Sequence, residues 1–224
     1  MLTEKGTSKR GVKIQGIYRS NFVIIGLPLA TALVPGADAG SVVVLISVVV
    51  PIFNAIAVIT LELFSGKRPN ALGIIIDVFK NPLILGTIVG IAFQLLGIRL
   101  PEALLSTIKQ ISAATNPMML FMLGAFFQWG GIHKYIKDLV EVCLGRLVVM
   151  PGIFLTAAYF LGIRGIAFAG MIAIGSATAI ASFTMVQQMG GDDELAGDIV
   201  VSTSALCCFT MFAWSFIFKS LGVF

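Results

Sequence analysis

The sequence predicts an all-α polytopic membrane protein with about seven transmembrane helices. Hydrophobic residues form 58% of the 224-residue chain and charged residues only 12%, which is too apolar for a soluble domain of this length. The apolar segments are long enough to cross a hydrocarbon core, which takes roughly 20 residues of helix. They are apolar on every face, whereas the strands of a membrane barrel alternate apolar and polar side chains. Composition and segment length therefore favour helices.

Charged joints and joints rich in Gly and Pro separate the apolar segments, and each segment predicts one span. The predicted spans are 20–36, 40–64, 81–98, 105–130, 139–161, 165–188 and 198–220. Residues 1–18 are polar and basic without an apolar core, so we expect a cytoplasmic leader there rather than a signal peptide or a span. We expect the segment 65–80 to be a cytoplasmic loop.

The distribution of cations predicts the orientation, because Lys and Arg in short joints stay on the cytoplasmic side. The cation-poor side holds Arg99, Lys109, Arg164 and Lys219. The cation-rich side holds Lys5, Lys9, Arg10, Lys13, Arg19, Lys67, Arg68, Lys80, Lys134 and Lys137. We therefore expect a multi-pass protein of the inner (plasma) membrane with a cytoplasmic N-terminus and an external C-terminus. This asymmetry accounts for the net charge of +4 and predicts no nucleic-acid partner.

Two of the predicted spans contain small, polar and helix-breaking residues, at 19–28 and at 175–182. Lipid offers no hydrogen-bond partner to freed backbone groups, so an interrupted helix persists in a bilayer only where protein or a solvated cavity satisfies them. In transport proteins such interruptions form binding sites. The pattern therefore predicts a transporter.

The first interruption is expected at Gly26 and Pro28, because Pro lacks an amide hydrogen and Gly makes a bend sterically cheap. Asn21 would offer a donor and an acceptor to a ligand, and a half-helix N-terminus would favour a carboxylate. The polar residues that would face the ligand from the second interruption are Ser176, Thr178 and Ser182. The alternative is that Asn21 only cross-links helices and that Pro28 only kinks one.

Other polar residues in the predicted spans have two interpretations each. Arg146 lies deep in the fifth span, where it would face protein or water and could attract an anion, or would extend to the cytoplasmic headgroups. Asn54 and Asn116 would line a cavity or accompany packing kinks at nearby prolines. The acidic residues that would either cap a helix or form a gate are Asp192, Asp193, Glu194 and Asp198.

No residue pattern predicts a metal site, a cofactor or an enzyme. His133 has no second ligand at metal-binding spacing. Cys143, Cys207 and Cys208 fall inside predicted spans, where they are expected to pack as small apolar residues. The sequence contains no His-Glu-x-x-His motif, and no Ser/His or aspartate pair is placed inside the spans for hydrolysis.

Internal repetition is a further signal of a transporter. An alignment of the chain with itself matches 39–44 to 196–201 and places Asn21 on Thr178. Each match begins a span that follows an interrupted span. An odd number of spans between the two would invert one half relative to the other across the membrane.

Several motifs carry a resemblance that covers the chain after residue 13. They are Tyr18-Arg-Ser-Asn21 followed by Gly26-Leu-Pro28, Val50-Pro-Ile-Phe-Asn54, Lys80-Asn-Pro82 and Met185-Val-Gln-Gln-Met-Gly-Gly-Asp-Asp-Glu-Leu-Ala-Gly197. Together they resemble the auxin efflux carrier family of membrane transport proteins, which includes bacterial permeases for small organic acids.

The resemblance implies two inverted five-helix repeats whose fourth helices are broken and cross at the substrate site. Residues 19–64 would then be the last two helices of the first repeat, and 81–224 the complete second repeat. It also implies secondary transport of small organic anions, such as carboxylates or auxin-like acids, by alternating access. We expect no cofactor, and a homodimer is a further expectation.

The chain departs from the family pattern in two ways. By the resemblance, we expect the first three spans of the family to be missing from this sequence, so the alternative interpretation is a truncated or split transporter that is inactive alone or needs a partner. The second interruption usually carries a proline near Ala177, so here it would depend on Gly175, Ser176 and Thr178. The expected substrate-binding residues are Asn21, Gly26, Pro28, Ser176, Ala177, Thr178 and Ser182.

Overall fold

The computed structural model of the chain describes residues 4–65, 82–98, 100–127 and 129–224. Within these ranges the backbone is helical apart from short joints and one isolated β-bridge, between Ser20 and Thr178. The expected cytoplasmic loop lies outside the described residues from position 66 onward. Lys80 and Asn81 of the third motif lie outside them as well.

Apart from the connection between Leu63 and Pro82, most of which lies outside the described residues, the helices follow one another with short joints. In chain order they are α1 (Glu4–Tyr18), α2 (Phe22–Leu33), α3 (Gly40–Leu63), α4 (Pro82–Leu95), α5 (Glu102–Phe126), α6 (Trp129–Leu144), α7 (Met150–Phe160), α8 (Gly165–Met171), α9 (Ala181–Gln188) and α10 (Asp193–Ser220). A π-helical turn, Gly145–Val149, joins α6 to α7, and a 3-10 turn, Ile172–Gly175, extends α8.

Long apolar helices confirm the predicted fold class, an all-α membrane protein. Among the described residues, 3 helical stretches are long and apolar enough to cross a membrane: Gly40–Leu63, His133–Phe160 and Asp193–Ser220. On α3, Val44 is 63% exposed and Ile52 is 49% exposed, as expected for side chains that face lipid. The number of seven spans stays a prediction, because α2, α4 and α8 are shorter apolar helices.

The basic N-terminal segment forms a helix that the sequence did not predict. Helix α1 packs against α3, α6 and α10, and Val12 and Gln15 are 2% and 0% exposed. Lys13 forms ion pairs with Asp138, at 2.8 Å, and with Glu141 of α6. The cations of α1 lower the mean hydropathy of the segment, and only a narrow face of the helix is buried. Hydropathy alone therefore does not predict that this segment packs inside the bundle.

Two clusters of buried side chains hold the interrupted helix pairs between the long helices. The larger cluster joins α1, α3, α6 and α9 to the first turns of α10, and Phe183 and Leu195 are buried in it. The second joins α7 and α8 to the end of α10, where the rings of Phe168 and Phe218 lie 4.7 Å apart. The pairs α1–α2 and α8–α9 are therefore fixed from both ends.

Helix α8 approaches α3 so closely that only glycine fits at one position. A Cβ atom on Gly170 would lie 2.9 Å from Cγ2 of Val42, and both residues are buried. Ala30 of α2 and Ala169 of α8 complete this tight contact at 0% exposure. Small residues let the helix backbones come together here, as is common in membrane bundles.

Candidate functional site

The two helix interruptions cross each other in the interior. The amide of Asn21 donates to the carbonyl of Ala177 at 2.9 Å, and the amide of Ala179 donates to the carbonyl of Arg19 at 3.0 Å. These bonds form the antiparallel bridge of Ser20 with Thr178. Each break thus satisfies backbone groups of the other, which is the condition for irregular backbone at membrane depth.

The first interruption lies at Arg19 to Asn21, earlier than predicted from Gly26 and Pro28. Helix α2 starts at Phe22 and continues through Pro28 to Leu33. Pro28 removes only one amide hydrogen from the helix, and the turns on either side continue without it. The polar Arg-Ser-Asn segment has a ready backbone partner in the other chain segment, so the break forms there instead.

Side chains reinforce the crossing from both sides. The hydroxyl of Thr178 donates to the carbonyl of Gly16 at 2.8 Å, and the amide of Thr178 donates to the hydroxyl of Thr203 at 3.1 Å. All of these groups are buried. The α1 end, the second break and α10 are therefore tied together at one point.

Arg146 holds the ends of two helices at the crossing. Its guanidinium donates to the carbonyls of Ile17 at 3.0 Å, Tyr18 at 3.1 Å and Ser176 at 3.0 Å, and also to that of Ile174. The carbonyls in the last turn of a helix lack partners within the helix and carry partial negative charge. A cation placed between two such ends satisfies both.

Arg146 therefore faces protein, which the first of the two sequence interpretations included, whereas the second placed it at the headgroups. The side chain is 0% exposed, so it does not extend to the headgroups, and it does not line the cavity at the crossing. The C-terminal end of α1 and that of the 3-10 turn lie next to each other, although they are far apart in the chain. Their carbonyls lie within hydrogen-bond distance of the guanidinium, so they attract it more strongly than a distant headgroup could.

A cavity of about 210 Å³ lies beside the crossing. The first interruption, the starts of α2 and α9, and side chains of α3 and α5 form its walls. The lining residues are Arg19, Ser20, Asn21, Phe22, Ile24, Val50, Phe53, Asn54, Met119, Ala179, Ile180 and Ala181. The cavity is smaller than pockets for drug-sized ligands, which measure about 300–1,000 Å³, so it suits a small molecule.

Arg19 is the charged residue in the cavity wall. Its side chain is 4% exposed; Nη2 donates to Oδ1 of Asn54 at 2.7 Å, and Nη1 contacts the sulfur of Met185 at 3.3 Å. No ion pair with a carboxylate forms at Arg19 within the described part of the chain. A guanidinium has five N–H donors, and a buried charge is costly unless it is paired. Arg19 can therefore receive an anion.

Two helices begin at the same cavity. The N-cap residue of α2 is Asn21, whose side chain accepts no bond from the first turn. The N-cap residue of α9 is Ile180, and the amides of Ser182 and Phe183 donate to the carbonyls of Ala179 and Ile180. Helix N-termini carry partial positive charge and bind anions. Arg146 thus neutralises the two C-terminal ends on one side of the crossing, while the two N-terminal ends and Arg19 make the cavity side electropositive.

The structure brings only some of the predicted site residues to the cavity. Asn21 and Asn54 line it. The residues that are instead buried in the crossing, at 4% exposure or less, are Ser176, Ala177, Thr178 and Ser182. Gly26 is buried against Ala173 of the 3-10 turn, and Pro28 is exposed on α2. The prediction for Asn116 concerns a side chain outside the described residues, although α5 continues as a helix through this position.

Sequence reasoning missed Arg19 because it precedes the first apolar window and was counted as a cytoplasmic cation. With α1 helical, Arg19 follows 15 helical residues, or about 22 Å of helix, and lies between packed helices. The available signal was an Arg two residues before Asn21 in a motif that interrupts a helix. Hydropathy alone could not supply it.

Comparison with known families identifies the family of the chain. The family model described as "Membrane transport protein" matches residues 71–215. This match covers more than half of the chain, from before α4 into α10. It is narrower than the resemblance of the motifs, which begins within α1. No curated protein matches the chain significantly. The chain therefore belongs to the auxin efflux carrier family of membrane transport proteins.

Proposed function

We propose that the protein is a secondary-type carrier of small organic anions, and that these anions bind in the cavity beside the crossing. The observation that carries the proposal is Arg19, a buried guanidinium without a carboxylate partner among the described residues. Membrane transport follows from the family; the class of substrate follows from the charge of the cavity.

A carboxylate suits this cavity better than a cation or a neutral ligand. Arg19 and a carboxylate form charge-assisted bonds of matched planar geometry. Asn21 and Asn54 would offer further donors, and the N-termini of α2 and α9 favour negative charge. Phe22 and Phe53 give the cavity apolar walls, which strengthen these interactions by excluding water. The volume of about 210 Å³ favours acids of a few carbon atoms.

Transport would proceed by alternating access, with the crossed unit of α1–α2 and α8–α9 moving against the remaining helices. Arg146 and the bridge between the breaks tie this unit together, so that it can move as one body. The resemblance of the motifs to a family with two inverted repeats supports this mechanism. In such transporters, alternating access is largely a rigid-body movement of one bundle of helices against the other around a fixed binding site. We place the protein in the plasma membrane with a cytoplasmic N-terminus.

Ligand-dependent stability tests the anion site. The purified protein is melted in detergent with malate, malonate, indole acetate or chloride, because a ligand of the folded state raises the Tm. We expect a rise with at least one carboxylate. Arg19→Gln should weaken the apparent affinity by about tenfold to hundredfold, as expected for loss of a charged hydrogen bond.

Arg164→Gln is the matched control. Arg164 is exposed and donates to the carbonyls of Tyr159 and Ile163 at 2.9 Å, away from the cavity. This variant should bind the acid as the wild type does. If no acid raises the Tm of the folded wild type, or if Arg19→Gln binds with unchanged affinity, the proposed site is wrong. Counterflow of the labelled acid in proteoliposomes then tests transport itself.

A further inference from the structure

A second cavity lies at the start of α10, away from the crossing. It has a volume of about 250 Å³. Its walls are the end of α5, the side chain of Phe183 in α9 and the first turns of α10. The residues of α10 that line it are Asp193, Glu194, Gly197 and Asp198. Phenylalanine and carboxylate side chains line this cavity, whereas the cavity beside the crossing contains the cation Arg19.

Asp198 is the unusual residue of this cavity. It is 2% exposed, and its Oδ2 atom is buried without a hydrogen-bond partner in the described part of the chain. A buried ionised carboxylate without a partner costs several kcal/mol. The folded protein therefore gains stability from any cation that neutralises Asp198.

The neighbouring charged groups do not neutralise it. Lys134 of α6 forms its ion pair with Glu194. Asp192 caps the first turn of α10 by accepting from the amide of Leu195 at 3.0 Å. The hydroxyl of Tyr135 lies 3.1 Å from Glu194 and 3.3 Å from Asp192. Asp192 and Glu194 add negative potential at Asp198, and Lys134 reduces it only in part.

The other elements at the cavity bring apolar groups to Asp198. The lining side chains of α5 are Leu123 and Phe126, and Phe183 is that of α9. Because Lys134 is paired with Glu194, the buried carboxylate of Asp198 lacks a compensating positive charge, and a monovalent cation would supply it. A divalent metal would need more ligands, and the described residues contain no group of three His, Cys, Asp or Glu that could hold one.

We propose that Asp198 is a binding site for a monovalent cation, either a proton or an alkali metal ion. The site lies in the first turns of α10, which packs against both α1 and α9, so its occupancy can act on the crossed unit. The role of the bound cation in driving transport rests on the proposed carrier function. Cation binding itself rests only on the cavity and its carboxylate.

The experiment measures the thermal stability of the purified full chain against Na⁺ and pH, for the wild type, Asp198→Asn and the control Asp38→Asn, which changes an exposed carboxylate between α2 and α3. NaCl replaces N-methylglucamine chloride at constant ionic strength and pH 8.5. A sodium site raises the Tm of the wild type by roughly 5 °C for a hundredfold increase of Na⁺ above its Kd. Asp198→Asn should abolish this rise, and Asp38→Asn should retain it.

A proton site gives a different pattern. The Tm of the wild type is then independent of Na⁺ but falls as the pH rises from 5.5 to 8.5, because the folded protein loses a proton that stabilises it. Asp198→Asn should remove this step and keep a high Tm at pH 8.5, since the amide carries no charge to bury. Infrared spectra of the wild type should show a protonated carboxyl band that the variant lacks.

The proposal is overturned if the wild type and Asp198→Asn respond identically to both Na⁺ and pH. It is equally overturned if Asp38→Asn loses the response and Asp198→Asn retains it. The carboxylate-dependent Tm shift is measured in parallel on Asp198→Asn. A normal shift there, together with no cation response in the wild type, would reject this site and leave the anion site of Arg19 intact.

Discussion

Two buried arginines at the crossing, Arg146 and Arg19, differ in how many of their donors the protein satisfies, although both have the same hydropathy. Arg146 donates to four carbonyls from two helix ends and so has few donors left for a ligand. Arg19 has one amide oxygen and one sulfur as partners and faces the cavity. The number of partners that the fold supplies decides which arginine is structural and which can bind an anion.

Replacement of Arg146 should destabilise the protein strongly. Arg146→Met leaves the carbonyls of Ile17, Tyr18, Ile174 and Ser176 without their donor in a dry interior, and we expect a loss of about 3–5 kcal/mol. The measurement is reversible unfolding by SDS in mixed micelles.

The control for this variant is Arg164→Met, which removes an exposed arginine that also donates to two carbonyls. Water replaces the donor there, so a loss below about 1 kcal/mol is expected. Equal losses in the two variants would show that Arg146 does not hold the helix ends as described.

At the scale of elements, helix contacts matter more than helix breakers. Pro28 and Pro117 lie inside helices that continue through them, whereas the break at Arg19 to Asn21 contains no proline. Backbone partners from a second segment stabilise that break, and a lone proline provides no such partner. Helix-breaking residues thus indicate a region of irregularity, and tertiary contacts set its position.

The close approach of α8 and α3 gives a prediction for packing. Gly170→Ala places a methyl group 2.9 Å from Cγ2 of Val42, which is β-branched and buried and cannot move aside cheaply. We expect a loss of about 1–3 kcal/mol from overpacking, measured by thermal unfolding in detergent.

Gly86→Ala in α4 is the matched substitution, because a Cβ at Gly86 meets nothing within 4 Å. It should leave stability unchanged or raise it slightly, since alanine favours helix by up to about 1 kcal/mol. A Gly170→Ala variant as stable as Gly86→Ala would mean that α3 and α8 pack more loosely than the structure shows.

For the whole molecule, some of the cations from which the membrane orientation was predicted lie inside the helix bundle and not in loops. Arg19 lies at the crossing, and Lys13 is paired with Asp138 and Glu141 between α1 and α6. Neither acts as a free cation of a cytoplasmic loop. Lys67, Arg68 and Lys80, outside the described residues, together with Lys134 and Lys137, still favour the same side.

Reporter fusions test this orientation in cells. Alkaline phosphatase fused after Phe224 should be active and green fluorescent protein at the same site dark, because we expect an external C-terminus. Green fluorescent protein fused before Met1 should be fluorescent. The reverse pattern, with a bright C-terminal fusion, would contradict the orientation that the cations predict.

The sequence by itself determined that the protein is a bundle of membrane helices, and it limited the irregular backbone to two regions, 19–28 and 175–182. Composition and segment length suffice for this, because the bilayer imposes them on each helix separately. The resemblance of the motifs to the family predicted that the two irregular segments cross each other. Asn21 and Asn54 were identified as cavity candidates because a polar amide in an apolar span needs a partner.

Only the tertiary structure decided which groups meet. It turned the basic leader into α1, placed Arg19 at the cavity and Arg146 at the helix ends, and buried Ser176, Thr178 and Ser182 in the crossing. These outcomes depend on backbone carbonyls and helix ends from segments far apart in the chain, whose charges combine only when the helices pack. Hydropathy describes one segment at a time, so it cannot show how such charges are paired.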